Sequence, residues 1–406
     1  MFADNEKFLE LDLSSVAKIC GSNQLLIESE IQVFYALDSW LKFDLAERKK
    51  YATYLFTKTR ISLLSNHALQ HMMKKKSCFN DIIECTEIVE KVLEEKTKSN
   101  SFKRTTIRFC NQDNFDVIVA GGFNRNDWQV FDDVCSLKGV CFDKEIQLSK
   151  MSTKRQKFKM VYIKGNVYAL GGLDSRMNEI MSVEKYSIAH NKWETIASMY
   201  DHGVNFSLCS FLQDVYVIGG QLKETITNTC VKFNTFNRKW TKLTGLKNAR
   251  CLAACTVFEG KVVVSGGMNN FETDAILNTV ETYDPFGDLW TNLPNMIYPH
   301  CLHKTVAVKN RLFVLGGFRI PSASACEMFD SHSNRFVLLK PSPFAQTCIS
   351  YSAEVVSFGR KLAVFGPKKK MVAFYDVDSN KWSKEGCEVP GSTIKYSCVL
   401  VPRFQL

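Results

Sequence analysis

Val167-Tyr-Ala-Leu-Gly-Gly172, Val215-Tyr-Val-Ile-Gly-Gly220, Val262-Val-Val-Ser-Gly-Gly267 and Leu312-Phe-Val-Leu-Gly-Gly317 repeat one phrase: a β-branched or aromatic run closed by a glycine pair. A fifth pair stands at Gly121-Gly122, and a sixth run stops at Gly366-Pro367. The first glycines are 50, 48, 47, 50 and 50 residues apart. Such runs read as strands buried on both faces. A period near ~50 residues marks a four-stranded propeller blade, which cannot bury both its faces alone and stacks on neighbours. Residues from 113 onward therefore read as one closed ring of six blades.

A second column has the same period. Trp193, Trp240, Trp290, Phe336 and Trp382 each follow an aromatic (Tyr186, Phe233, Tyr283, Phe329, Tyr375) by seven residues, the mark of a tight hairpin of fixed length. Glu145 holds the corresponding place in the first repeat, which is degenerate there. Length varies between the glycine pair and the aromatic that opens the hairpin: 14, 13, 16, 12 and 8 residues in repeats two to six. A variable segment between fixed ones is a rim loop, and loops on a rigid scaffold are where binding usually resides.

Upstream of each glycine-pair run lies a further apolar stretch, at residues 158–163, 206–212, 251–258 and 303–308, read as the innermost strand of its blade. Gly121 has no such stretch before it, whereas Thr393-Ile-Lys-Tyr-Ser-Cys-Val-Leu-Val401 is an inner strand with no glycine pair after it. An open ring would leave an unpaired edge, so this last strand is expected to complete blade one.

Before residue 100 the texture is helical. Ser29-Glu-Ile-Gln32 has capping-box spacing, and Ile27, Ile31, Phe34, Leu37 and Leu41 recur at helical intervals. Residues 49–56 and 82–93 read the same way, with no glycine between Gly21 and Gly121. The expected organisation is a helical domain over 1–98, a polar, basic linker over 99–114 and a propeller over 115–406.

Glu28-x-Glu30-x-x-Val33-Phe34-x-Ala36-x-x-x-Trp40, then Asp44, Arg48 and Arg60-Ile-Ser-Leu-Leu64, resembles the BACK domain that precedes kelch repeats in the BTB-BACK-kelch family. The resemblance implies an all-β six-bladed kelch propeller preceded by a small all-α, partial BACK domain. Similar proteins are substrate adaptors of cullin-RING ubiquitin ligases, in which a BTB domain and the first BACK helices grip the cullin and the propeller holds the target. Set against the family pattern, Met1 falls inside the BACK region, so the BTB domain and the start of BACK are expected to be missing from this chain.

The chain has 406 residues, 45% of them apolar and 23% charged, which fits a globular protein of this size. Its first 13 residues are interrupted by five charges, so they do not read as a signal peptide. Fifteen cysteines include no Cys-x-x-Cys, and Cys251-x-x-x-Cys255 reads as two same-face strand positions. Reduced, buried thiols in a cytoplasmic protein, with a possible cytoskeletal association, are the expectation. Net charge is +10, of which residues 1–112 carry +2 (17 Lys and Arg against 15 Asp and Glu) and the remainder +8. That excess suits an acidic partner, although solvated basic loops account for it equally. Lys368-Lys-Lys370 lacks the flanking aromatics of a nucleic-acid contact and reads as a solvated turn.

Sixteen residues before each first glycine stands a column of Arg155, Gly203, Arg250, His300 and Ser350. In the resembling adaptors arginines at this column face the partner groove, where a guanidinium can clamp a carboxylate with two bonds. The expected partner-binding set is Arg125, Arg155, Arg176, Arg250, His300, Arg319 and Asn269, with Tyr200 and Tyr298 as aromatic anchors. For each member the competing reading is a loop cap or a neighbour's ion-pair partner.

Catalysis finds no support. Kelch propellers can house a copper oxidase, and His300-x-x-His303 with Cys301 and Tyr298 raises that thought. In an extended segment residues 300 and 303 would point to opposite faces, and no other repeat supplies a matching histidine. No Gly-x-Ser-x-Gly occurs, and Glu327 and Asp330 fit a strand-to-turn pattern. The sequence therefore asks for no enzyme, metal, cofactor, nucleic acid or membrane. Two binding readings compete: a ubiquitin-ligase substrate adaptor that captures a protein or an acidic peptide and reaches a cullin through a full-length BTB partner, and an actin-binding kelch scaffold with no ligase role.

Overall fold

A computed structural model describes residues 6–98 and 115–402, with interruptions at 23–24, 26, 28–29, 65–68, 71, 74–76, 125–127, 139–143, 200–202, 273–274, 286, 309–310, 319–324, 332, 342–352, 359–360, 367–371, 386–392 and 395. The chain forms two compact units, Met1–Asn111 and Gln112–Leu406.

The first unit is helical, with helices Leu13–Gly21, Glu30–Phe43, Leu45–Arg48, Ala52–Phe56 and Ile83–Lys98. Asp12 and Asp44 cap two of them, accepting from the backbone N–H groups of Ser15 and Glu47 at 3.3 Å. The expected helix over 49–56 is broken, because Lys49–Tyr51 winds as a 3-10 turn before Ala52. The capping box at Ser29 lies outside the described residues. Helix Glu30–Phe43 is the centre of this unit: Ile31, Val33, Phe34, Leu37, Trp40 and Leu41 are all buried. Phe34, Phe56 and Phe79 cluster with ring centroids 5.1–6.3 Å apart. Buried Asp38 accepts from Ser77 Oγ, Cys78 N and Lys42 Nζ at 2.8, 2.9 and 2.6 Å. Trp40 donates its indole N–H to Leu11 O at 2.9 Å, while Arg48 lies 4.1 Å over the Trp40 ring and donates to Leu9 O and Trp40 O.

The second unit is a six-bladed β-propeller. Its inner strands are Ser397–Pro402, Lys159–Ile163, Ser207–Phe211, Ala254–Phe258, Lys304–Val308 and Glu354–Phe358 for blades one to six. Each begins a four-stranded antiparallel sheet, and each inner strand packs against those of both neighbouring blades, closing the ring. In blade one Ser397–Pro402 pairs with Phe115–Ala120 in a register running from Phe115 opposite Pro402 to Ala120 opposite Ser397. Ser397–Pro402 and the first strand of the propeller thus share one sheet.

The fixed seven-residue spacing is a hairpin in which the two aromatics face each other. Tyr186 pairs with Trp193, Phe233 with Trp240, Tyr283 with Trp290, Phe329 with Phe336 and Tyr375 with Trp382. Ring centroids in these pairs are 4.9–5.3 Å apart. Each hairpin turns through a left-handed residue, namely Asn191, Arg238, Asp288, Asn334 or Asn380. Where that residue is Asn or Asp and the aromatic is Tyr, the phenol donates to its side chain, as in Tyr283 OH to Asp288 Oδ1 at 2.7 Å. The indole N–H then ties blades together: Trp193 donates to Ser149 O, Trp240 to Ser198 O and Trp290 to Thr244 O at 2.8–2.9 Å, each carbonyl lying at the end of the preceding blade's outer strand. Trp240 is only half-buried, whereas Trp193 and Trp290 are buried.

A candidate partner-binding face

Strand direction assigns the parts of the ring to its two faces. Lys159 pairs with Leu170, the residue before Gly171-Gly172, so inner strands begin at the same end as the glycine pairs. The loops after the glycine pairs and the crossover loops entering each inner strand therefore share one face. The glycine pairs make this end tight. Gly172 (φ 100°) carries no side chain where a Cβ would come within 2.6 Å of Gln156 O, and Gly121 (φ 58°) where one would come within 2.7 Å of Arg155 O.

The column expected to face a partner does something else. Arg155, Arg250 and His300 are 0%, 1% and 0% exposed. Arg155 donates to Gly171 O (2.9 Å), Ser182 Oγ (3.0 Å) and Glu184 Oε1 (2.5 Å). Arg250 repeats the pattern with Gly266 O (2.9 Å), Thr279 Oγ1 (3.1 Å) and Glu281 Oε1 (2.5 Å). His300 stands in for the guanidinium, with Nδ1 2.7 Å from Gly316 O and Nε2 3.0 Å from Glu327 Oε1. Meanwhile the backbone oxygens of these three accept from Gly122, Gly220 and Gly267 of the preceding blade. The carboxylates bind the crossover loop a second time, through the N–H groups of Ser152, Lys247 and Ile297.

This column is a latch between blades, and these side chains have no surface to offer a partner. The expectation for Arg155, Arg250 and His300 is corrected accordingly. Burial pulls both guanidiniums below their ordinary range, and the facing carboxylate pushes them back up. Where the latch cation is missing the carboxylate is missing too: Gly203 takes the place of arginine before blade three, and Val231 stands opposite Val217 where Glu184 stands opposite Ala169.

Two residues beyond each position of this column, Gly203 included, the chain enters the left-handed region at Lys157, Asn205, Leu252 and Leu302 (φ 54°, 60°, 55° and 56°). These side chains are half-buried at the inner edge of the face. The same reversal at Leu302 brings the His300 and His303 rings to 5.4 Å centroid separation, so these histidines lie together and not on opposite faces. His303 Nε2 bonds to Ser265 Oγ at 2.8 Å, and Ser265 Oγ to Thr305 Oγ1 at 2.6 Å. Burial, then the neighbouring His300, hold the His303 ring well below its ordinary protonation range.

Of the other expected contacts, Arg176 and Asn269 are exposed on the loops after the second and fourth glycine pairs. There Arg176 N donates to Asp174 Oδ1 at 2.8 Å, and Asn269 N donates to Ala275 O at 3.2 Å. Tyr298 is half-buried, its N–H held by Glu327 Oε1 at 2.9 Å. Arg125, Arg319 and Tyr200 lie outside the described residues.

The loops after the glycine pairs also carry a feature unread in the sequence: an apolar side chain standing out on five blades. Trp128, Met177, Phe271 and Phe318 are 70%, 55%, 57% and 42% exposed, and Leu222 lies on the corresponding loop of blade three. Trp128 and Met177 adopt φ values of 58° and 65°, unfavourable for such side chains, and Trp128 stacks on Phe123 at 5.6 Å. Exposed apolar groups gathered on one face mark an interaction surface. Among the described residues no helix is long and apolar enough to cross a membrane.

Comparison with known proteins agrees with this architecture. The family model BACK ("BTB And C-terminal Kelch") matches residues 1–74, and the Kelch motif matches 154–200 and 249–297. Those two kelch matches contain the two arginine latches. Kelch-like protein 28 of Mus musculus is 24% identical over 228 residues, covering 53% of this chain and 39% of the relative. The Homo sapiens protein of that name is 24% identical over 276 residues (64% and 39%), and spermatocyte protein spe-26 of Caenorhabditis elegans 25% over 276 residues (65% and 42%). The matched stretch is thus about two fifths of each relative's length. Kelch propellers of this kind are typically non-enzymatic scaffolds for protein interaction, which fits the exposed apolar rim. A BACK segment followed by kelch repeats makes this chain a homologue of the kelch-like proteins.

Proposed function

We propose that the chain is the target-binding arm of a cullin-RING ubiquitin ligase, holding a protein on the glycine-pair face of its propeller and reaching the cullin through a BTB-containing partner. The observation that carries the binding half is the ring of exposed apolar side chains, Trp128, Met177, Phe271 and Phe318, on loops anchored by a latched, tightly packed scaffold. Large aromatic and Met side chains on a rigid frame supply the desolvated contacts that dominate protein interfaces. The ligase half is supported by the BACK match ahead of the kelch motifs and by the kelch-like relatives.

The test is an affinity capture from cytosol with the full chain as bait, beside a Trp128→Ser/Phe271→Ser variant. The expected result is recovery of a cullin and a BTB protein with both baits, and of a target with the unaltered chain only. Recovery of actin without a cullin would instead make this a cytoskeletal scaffold. A target retained by the rim variant would move binding to another face.

A further inference from the structure

The first residues of the six inner strands occupy one register level where the channel opens on the glycine-pair face: Ser397, Lys159, Ser207, Ala254, Lys304 and Glu354 in blade order. Small or hydroxyl side chains fill three of these places, and charged ones stand in blades two, five and six. Blades two and five are opposite in a six-membered ring, so Lys159 and Lys304 reach toward each other across the axis. Lys304 Nζ donates to Glu354 Oε1 at 2.8 Å, with both side chains more than four fifths buried. Among the described residues Lys159 has no carboxylate hydrogen-bonded to it.

Two ammonium groups against one carboxylate leave one positive charge at this level of the ring. Repulsion from Lys304 and then burial push Lys159 down to about 8, while Glu354 pulls it back up. A like-charge pair held in a channel is unfavourable in the free protein and is relieved by any anion that enters between the two. What surrounds the opening defines the anion's carrier. On the same face stand Trp128, Met177, Phe271 and Phe318, so large exposed apolar side chains, interspersed with charged ones such as Arg176 and Glu272, surround a centre that is positive.

We infer that the channel mouth, with Lys159 opposite Lys304, is a binding site for a single carboxylate, carried by an acidic side chain of a peptide segment whose neighbouring residues are apolar. This rests on the reading of the glycine-pair face as the partner-binding face. The acidic side chain enters along the axis, Lys159 supplies the free cation, and Lys304 is shared with Glu354. The flanking apolar residues spread over the loop aromatics.

The experiment is calorimetric titration of the full chain with acetyl-Phe-Leu-Glu-Leu-Phe-amide and with its Gln counterpart, repeated on Lys159→Met and Trp128→Ser. Lys159→Met leaves Glu354 paired to Lys304 and removes the like-charge contact, so it should melt no lower than the unaltered protein. The Glu peptide should bind at least tenfold more tightly than the Gln peptide. Lys159→Met should abolish that ratio, whereas Trp128→Ser should weaken both peptides alike. Equal affinities, no binding of either peptide, or an unchanged ratio in Lys159→Met would overturn the axial site. If the ratio is absent while cellular capture still depends on Trp128 and Phe271, the axial site falls and the partner-binding face stands. If capture is also indifferent to the rim variant, both fall.

Discussion

Arg250 Nη2 lies 2.5 Å from Glu281 Oε1, and neither side chain is more than 2% exposed. An ion pair so buried is stable only because every oxygen is committed: Glu281 Oε2 takes the Lys247 N–H at 3.0 Å, and Arg250 also holds Gly266 O and Thr279 Oγ1. Removing one partner leaves a buried charge alone. Arg250→Met should therefore destabilise the propeller by about 3–5 kcal/mol in urea unfolding. The Arg250→Met/Glu281→Leu double variant, which copies the apolar solution of blade three at Val231, should recover most of that loss. A single-variant cost under about 1 kcal/mol would mean that the latch is not structural.

The repeated indoles differ in weight. Trp290 is buried and bonded to Thr244 O at 2.8 Å, whereas Trp240 is half-buried although its bond to Ser198 O is as short. Trp290→Ala should cost about 3–5 kcal/mol, and Trp240→Ala clearly less. Chemical denaturation of both variants checks the order, which equal losses would contradict.

Lys159 gives the stability curve a specific slope. Its folded value of about 8 lies below the ordinary lysine value of 10.5, so between those pH values the unfolded chain binds more protons and stability rises with pH. Below about 8 both states are protonated and the repulsion from Lys304 is fully present. Glu354, Cys398 and the buried His303, which feels both lysines, are the other titratable groups acting on this place. Melting temperatures of the unaltered protein and Lys159→Met from pH 7 to 10.5 should converge as pH rises, with Lys159→Met the more stable at pH 7. Parallel curves would remove the effect from Lys159.

Burial governs the thiols. Cys135 and Cys230 are pushed up to about 12, and Cys85 and Cys251 to about 11. Cys255, whose sulfur lies 3.0 Å from that of Cys209 on the adjacent inner strand, is raised well above its ordinary value by burial. The thiolate is the reactive form. Iodoacetamide at neutral pH should leave Cys85, Cys135, Cys230, Cys251 and Cys255 unlabelled in the folded protein and label all of them in guanidinium, as read by peptide mass mapping.

The ring was legible from spacing alone because a blade is a repeated physical unit. The glycine pairs mark where a Cβ would strike the crossover loop, and the seven-residue aromatic interval is the pairing distance of one hairpin. Position is legible for the latch too, but the inward direction of Arg155, Arg250 and His300 is not. Nothing in an arginine's identity tells whether it meets a partner or a buried carboxylate. The signal that distinguishes them was present across repeats: arginine or histidine occurs with Glu184, Glu281 and Glu327, and Gly203 occurs with Val231. The left-handed turns at Lys157, Leu252 and Leu302 were hidden, since neither Lys nor Leu announces a positive φ; only Asn205 is of a type that favours one. The axial charges were hidden for a different reason: Lys159, Lys304 and Glu354 become neighbours only once six strands share a register around one axis.

Pairing of Phe115 with Pro402 has a consequence for how the protein is made. The partners are 287 residues apart, so the strand synthesised first in the ring has no inner neighbour until Ser397–Pro402 emerges. At about 5–20 residues per second, that interval is roughly 15–60 s. Throughout it, blade one presents an unpaired strand edge, open to other strands until Ser397–Pro402 arrives to cover it.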